Sequence, residues 1–324
     1  MFVTLEQATE LIQEGKILHI AADESLLDQL PKGKWIGGTT PYFITDEGGI
    51  TCKDKLFVNE IYCATDCKIA VYDKSNIFDI TRDAYPNGLT FLIIPFGSDI
   101  AVFYSKEAPY SDDLLLNPVV GWISGFDLST DSRAKVYDGT TGTSYCDEAI
   151  ALHTCLPDDK IASLGIVNIF DADENDVVIE FFEDTLSVKK CLVNGKEVVL
   201  SDYILENKIN TQLPLVADYN GVFINVSIKS VSEENSTVDL YAPVFAGKKY
   251  HFARPISNYA ASFAEHIQGL KNVNPIFSCN CILNYLYGEL DGKATPPFTG
   301  PVTFGEIAYQ LLDQTLVYAE VIDK

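Results

Sequence analysis

The sequence predicts an α+β, mixed α/β fold: two modules of largely antiparallel sheets with flanking helices. Three observations carry that expectation. Short runs rich in β-branched and aromatic residues follow one another along the chain, and several are apolar on both faces, so they need cover on both sides. Turn dipeptides such as Asp138-Gly139 and Asn194-Gly195 join neighbouring runs too closely for helical crossovers. Helical segments with recognisable ends are few. At 324 residues the chain also exceeds the usual single-domain size, so two domains are expected, 1–204 and 205–324.

The first element is a helix. Thr4 and Gln7 form a capping box, Leu5, Ala8, Leu11 and Ile12 line one apolar stripe, and Gly15 stops it. Strands are expected at 16–21, 67–72, 89–94, 100–104 and 118–123. From 135 to 200 the pattern reads as an antiparallel meander, with a polar hairpin tip at 171–176 between runs at 166–170 and 177–182. A short helix at 201–207 leads into the domain boundary. Strands at 221–229, 238–244 and 250–253 then precede a helix that opens at Pro255, carries Ile256, Tyr259, Ala260, Phe263 and Ile267 on one face, and closes at Gly269. A buried strand at 275–283, a Pro/Gly-rich loop and the segment 304–322 follow.

Forty-six acidic residues against 23 basic ones give a net charge of −23, which repels nucleic acid and anionic membrane surfaces. The excess is uneven: residues 1–204 hold 34 acidic and 15 basic residues, and 205–324 hold 12 and 8. It reads as a solubilising surface or as a docking surface, on the N-terminal domain, for a basic protein partner. Met1 to Gln7 has neither the basic nor the apolar region of a signal peptide, and no window is long enough to span a membrane. Eight cysteines without such a signal fit a reducing compartment, so a cytoplasmic location is expected.

Catalytic motifs are near misses. Gly121-Trp122-Ile123-Ser124-Gly125 places its serine one position late for a nucleophile elbow. The run from Asp171 begins like a calcium loop but has Asp176 where glycine is needed and Phe182 where a bidentate glutamate is needed. Gly139 to Ser144 lacks the lysine and helix of a phosphate cradle. Cys279 and Cys281 share one side of a strand, as do His153 and Cys155, so a metal site would form only if those strands met. Histidines 19, 153 and 251 lie in expected strands and read as satisfied core groups, and His266 reads as exposed.

Glycine-marked strand ends recur in a definite order. Ile36-Gly37-Gly38-Thr39-Thr40 comes first, Val120-Gly121-Trp122-Ile123-Ser124-Gly125 second, and Val193-Asn194-Gly195-Lys196 through Tyr203 third. Val244-Phe245-Ala246-Gly247-Lys248, Phe277-Ser278-Cys279, Phe304-Gly305-Glu306-Ile307 and Asp313-Gln314-Thr315 follow. The succession resembles the FIST family, paired N-terminal and C-terminal modules of bacterial signalling proteins and some F-box proteins. It departs from that pattern at Pro41-Tyr42-Phe43, where a small residue and an acid are usual, and at Ile282 to Asn284, where the family often has an arginine.

The resemblance implies a non-catalytic sensory or signal-transduction protein that binds a small molecule, such as an amino acid, without a cofactor, and signals through a partner protein. The implied ligand site near the domain interface draws on Gly37, Gly38, Thr39, Thr40, Gly121, Trp122, Ser124, Cys279, Gly305 and Glu306. Hydroxyls and amides would hold an anionic group, and Glu306 would hold an ammonium. The structural alternative for the same residues is tight turns, a helix cap at Glu306 and a core Trp122. Two other classes stay open: a thiol-dependent enzyme using Cys279 or Cys281, and a haem or metal sensor.

Overall fold

A computed structural model describes residues 1–173, 177–219, 221–270 and 273–324. Two six-stranded mixed sheets form its centre. The first runs in the order Phe2–Val3, Leu56–Glu60, Leu18–Ala22, Trp35–Thr39, Val136–Asp138, Thr143–Tyr145. The second runs Gln310–Leu312, Glu306–Ala308, Val119–Ser124, Gly88–Pro95, Ala149–Cys155, Asp66–Tyr72. Each has a parallel pair at its heart, Leu18–Ala22 beside Trp35–Thr39 and Gly88–Pro95 beside Val119–Ser124. A parallel pair needs a crossover, and helices supply it in both.

Helices α1 (Leu5–Gln13) and α2 (Glu24–Leu27) cover the outer face of the first sheet, where Ala8, Ile12 and Leu27 meet Leu18, Ile20 and Trp35. The expected capping box of α1 is present. Helices α3 (Ile80–Asp83) and α4 (Asp99–Glu107) cover the outer face of the second, through Ile80, Ile100 and Tyr104 against Leu92, Ile94 and Val119. The inner faces meet across Ile36, Phe57, Phe91, Val120 and Trp122. The strand expected at 100–104 is therefore a correction: it is α4. Ser98 accepts a hydrogen bond from the Ala101 amide and starts the helix, while Asp99 and Lys106 suit its two ends.

A third sheet, Lys160–Val167, Leu316–Asp323, Phe277–Cys281, Gly300–Thr303, Tyr42–Thr45, Gly48–Thr51, closes the side of this sandwich and adds Phe277, Cys279 and Val317 to its core. Two more sheets form a second core. The six-stranded one contains Ile179–Glu180, Lys190–Val193, Lys196–Val199, Leu215–Tyr219, Val222–Val226 and Lys249–Phe252, and the three-stranded one Thr185–Val188, Ile228–Ser232 and Thr237–Val244. Helix α5 (Leu200–Glu206) packs Leu200 and Ile204 into that core, whereas α6 (Tyr259–Gln268) and α7 (Ile282–Tyr287) pack outside it, around Phe263 and Leu283.

The boundary at 204/205 thus falls inside helix α5, and the strands on either side of it share one sheet and one core. Residues 179–252 build the second core, and 277–323 return to strands from the first half, pairing Ile307 with Gly121, Pro301 with Phe43 and Leu316 with Val167. The expected hairpin around 171–176 is also replaced. Lys160–Val167 pairs with Leu316–Asp323, and Ile179–Glu180 pairs with Lys190–Val193 and Lys249–Phe252. Residues 174–176 of that tip, and with them part of the calcium-loop comparison, lie outside the described residues. The hairpin turning at Asn194-Gly195 forms as expected. Helix α6 begins at Asn258, which caps Ala261, three residues beyond Pro255. Among the described residues no helix is long and apolar enough to cross a membrane.

Candidate functional site

The strand ends marked by Gly37-Gly38, Gly121 and Gly305 are buried, and Gly38 and Gly121 are packing devices, whereas Gly195 and Gly247 stand in exposed turns at positive φ. A Cβ on Gly121 would stand 1.8 Å from the Leu92 carbonyl oxygen of the neighbouring parallel strand, and one on Gly38 would stand 2.7 Å from the Trp122 ring. Gly37 sits one step earlier in the same strand, facing Leu27 and the Trp35 ring. Trp122 is wholly buried and donates its Nε1–H to His19 Nε2 at 2.7 Å. Burial holds the His19 imidazole neutral, its pKa lowered to about 3. The structural alternative for Trp122 describes its place in the core.

Glu306 lies in the hairpin that follows Gly305, and it is fully buried. Its carboxyl accepts from Thr303 Oγ1 at 3.0 Å, the Thr315 amide at 3.2 Å and Thr315 Oγ1 at 2.9 Å. Desolvation raises its pKa well above the ordinary carboxyl range, against the pull of the three donors. The expected roles of holding a ligand ammonium or capping a helix give way to a buried polar hub between strands. Cys279 donates to the Gly121 carbonyl at 3.5 Å, and burial raises its thiol and that of Cys281 well above the free value. Neither is poised as a nucleophile. The strands of Cys279 and His153 lie in different sheets, and the His153 nitrogens meet the Tyr72 and Thr90 hydroxyls at 2.9 Å. Ser124 Oγ is buried without a partner among the described residues.

Thr39 and Thr40 lead elsewhere. They form part of the wall of a cleft of about 380 Å³ at the carboxyl ends of the parallel strands Leu18–Ala22 and Trp35–Thr39, the usual place for a ligand crevice in an open α/β sheet. Thr39 Oγ1 donates to the Gly125 carbonyl at 2.6 Å and accepts from the Lys135 amide at 2.9 Å, fastening both ends of the 125–135 loop. Thr40 Oγ1 donates to the Val302 carbonyl at 2.7 Å and ties the same strand end to the C-terminal part of the chain.

Charged residues that sequence reasoning missed line this cleft. Asp23, Glu24 and Asp28 stand on the α2 side, Asp127 and Arg133 on the loop, and Lys53 beside Asp127 at 2.6 Å. Lys53 and the amide and hydroxyl of Ser129 hold the Asp127 carboxyl down to about 2. Lys135 pairs with Glu24, and Tyr137 donates to Asp28 at 2.8 Å. Among the described residues the Arg133 guanidinium pairs only with the exposed Asp147, at 3.2 Å. The cleft is a charged, hydroxyl-edged binding surface with four acids and two bases in its wall. The one local signal was the Asp-x-Ser turn on each side, at Asp23 and at Asp127, where aspartate bonds the amide two residues on.

Fold and site together define a mixed α+β protein with a polar crevice at a parallel strand end and a sealed polar centre beneath it. The chain matches the family described as Family of unknown function (DUF6976) over residues 3–322 and belongs to that family. No curated protein matches it.

Proposed function

We propose that this protein binds, without chemistry, a small metabolite carrying an ammonium group, an amino acid or a close relative, in the cleft between α2 and the 125–135 loop. The observation that carries the reading is the wall of that cleft. Asp23, Glu24, Asp28 and Asp127 outnumber Lys53 and Arg133, so the crevice favours a cation, while the Arg133 guanidinium is available to a carboxylate at the cost of a weak surface pair. Occupancy would change the loop that Thr39 fastens, and a partner protein would read that change, in line with the sensory role implied by the resemblance to FIST modules.

Melting the protein against the standard amino acids and simple amines tests this. A ligand at about a hundredfold excess over its Kd raises Tm by several degrees. The double variant Asp28→Asn/Asp127→Asn should abolish that rise while unfolding cooperatively. If no ammonium compound shifts the midpoint, or the double variant responds like the parent, the reading is wrong.

A further inference from the structure

The second parallel pair also opens onto a crevice, and its chemistry differs. At the carboxyl ends of Gly88–Pro95 and Val119–Ser124 lies a cavity of about 270 Å³ between α4 and the three-stranded sheet of the second core. Phe96, Ile123, Leu240, Phe304 and Leu311 give it an apolar floor. Apart from Ser105 on α4, whose hydroxyl donates to the Val102 carbonyl at 2.8 Å, its polar side chains lie on the three-stranded sheet side. Asp239 is engaged there by the hydroxyls of Ser187 at 2.6 Å and Ser230 at 3.1 Å. The Lys229 ammonium pairs with no carboxylate among the described residues, and the Tyr241 hydroxyl makes no hydrogen bond among them. An apolar cavity with two unengaged donors at one edge, one of them a cation, complements a molecule with an apolar body and a single anionic end.

We infer that this cavity is a second binding site, for a small monocarboxylate with an aromatic ring or short hydrocarbon chain. The apolar body lies against Phe96 and Phe304, and the carboxylate meets Lys229 and Tyr241. The site is distinct from the charged cleft, because the two open at the ends of different strand pairs and share no lining residue, although Phe126 of the cleft packs against Phe96 and Phe304.

The probe is 4-fluorophenylacetate, followed by fluorine NMR line broadening on the full chain, with 4-fluorophenylacetamide as its uncharged counterpart. The acid should bind at least about tenfold more tightly than the amide. Lys229→Met, a change at an exposed side chain, should remove that preference. Ala101→Trp should fill the cavity and abolish binding of both, with circular dichroism reporting whether it folds. Asp28→Asn/Asp127→Asn should leave the probe's affinity unchanged, which separates this site from the cleft. No binding up to about 10 mM, equal affinity for acid and amide, or an unaltered preference in Lys229→Met would overturn the inference.

Discussion

Glu306 shows how a residue legible as unusual in sequence can be assigned the wrong partner. Its position after Phe304-Gly305 singles it out, but the groups that satisfy it, Thr303 and Thr315, are brought to it by the hairpin Glu306–Ala308/Gln310–Leu312 and the start of the strand Leu316–Asp323. That closure is tertiary, and so is the burial that raises the carboxyl's pKa. Because burial favours the protonated acid, Glu306→Gln should be nearly silent: the amide oxygen can accept from Thr315 and the amide nitrogen can donate to Thr303. Glu306→Ala leaves the buried Thr315 hydroxyl and amide without their acceptor, while Thr303 keeps the Asn280 carbonyl, and should cost about 2 kcal/mol or more. Urea unfolding of the two variants checks this. A Gln variant as damaged as the Ala variant would mean that Glu306 is held charged.

At the level of elements, the two parallel pairs decide most of the architecture, and neither pairing could be read directly. The strand 118–123 was visible from its apolar run, yet its neighbour and direction follow from α4, whose sequence Ile100-Ala101-Val102-Phe103-Tyr104 suits strand and helix alike. The Ser98 cap, absent from the periodicity argument, decides for helix. The same ambiguity hid the charged cleft: Asp23 and Asp127 matter because they follow strand ends, and the Leu18–Ala22/Trp35–Thr39 pairing that makes that end a crevice is not local information. The glycines, by contrast, were legible as special positions: Gly195 and Gly247 serve turns at positive φ, whereas Gly38 and Gly121 serve close approach. Gly121→Ala places a methyl against the Leu92 backbone, where no rotamer change gives relief. It should destabilise by about 3 kcal/mol or more, or abolish cooperative unfolding, and a chemical denaturation curve close to the parent's would contradict the packing described.

For the molecule as a whole, fold class was legible and domain division was not, because length and a polar stretch near 207 do not reveal that residues 277–323 rejoin strands of the first half. The uneven acidic charge consequently spans both cores, since residues 179–204 belong to the second. What the interior does with its few titratable groups is more specific. His19 and His153 are held neutral, their pKa values lowered to about 3 and about 4, so each contributes stability that is present above pH 6.5 and is lost as pH falls. Asp313 works the other way. Burial raises it to about 7 while it accepts from the Ser227 amide at 3.1 Å and hydroxyl at 2.7 Å, so its contribution is complete below its unfolded value of 3.8 and is lost as pH rises through about 7. The raised Glu306 has the same sign. Between pH 5 and 6, two histidines that resist acid therefore oppose two carboxyls that favour it, which flattens the dependence of stability on pH. Asp313→Asn keeps an oxygen for Ser227 but removes one of the opposing terms. Its unfolding free energy should then rise by about 1.4 kcal/mol per pH unit more than the parent's over that interval. Urea titrations at the two pH values measure the slopes directly, and equal slopes in the two proteins would show that Asp313 is ionised throughout.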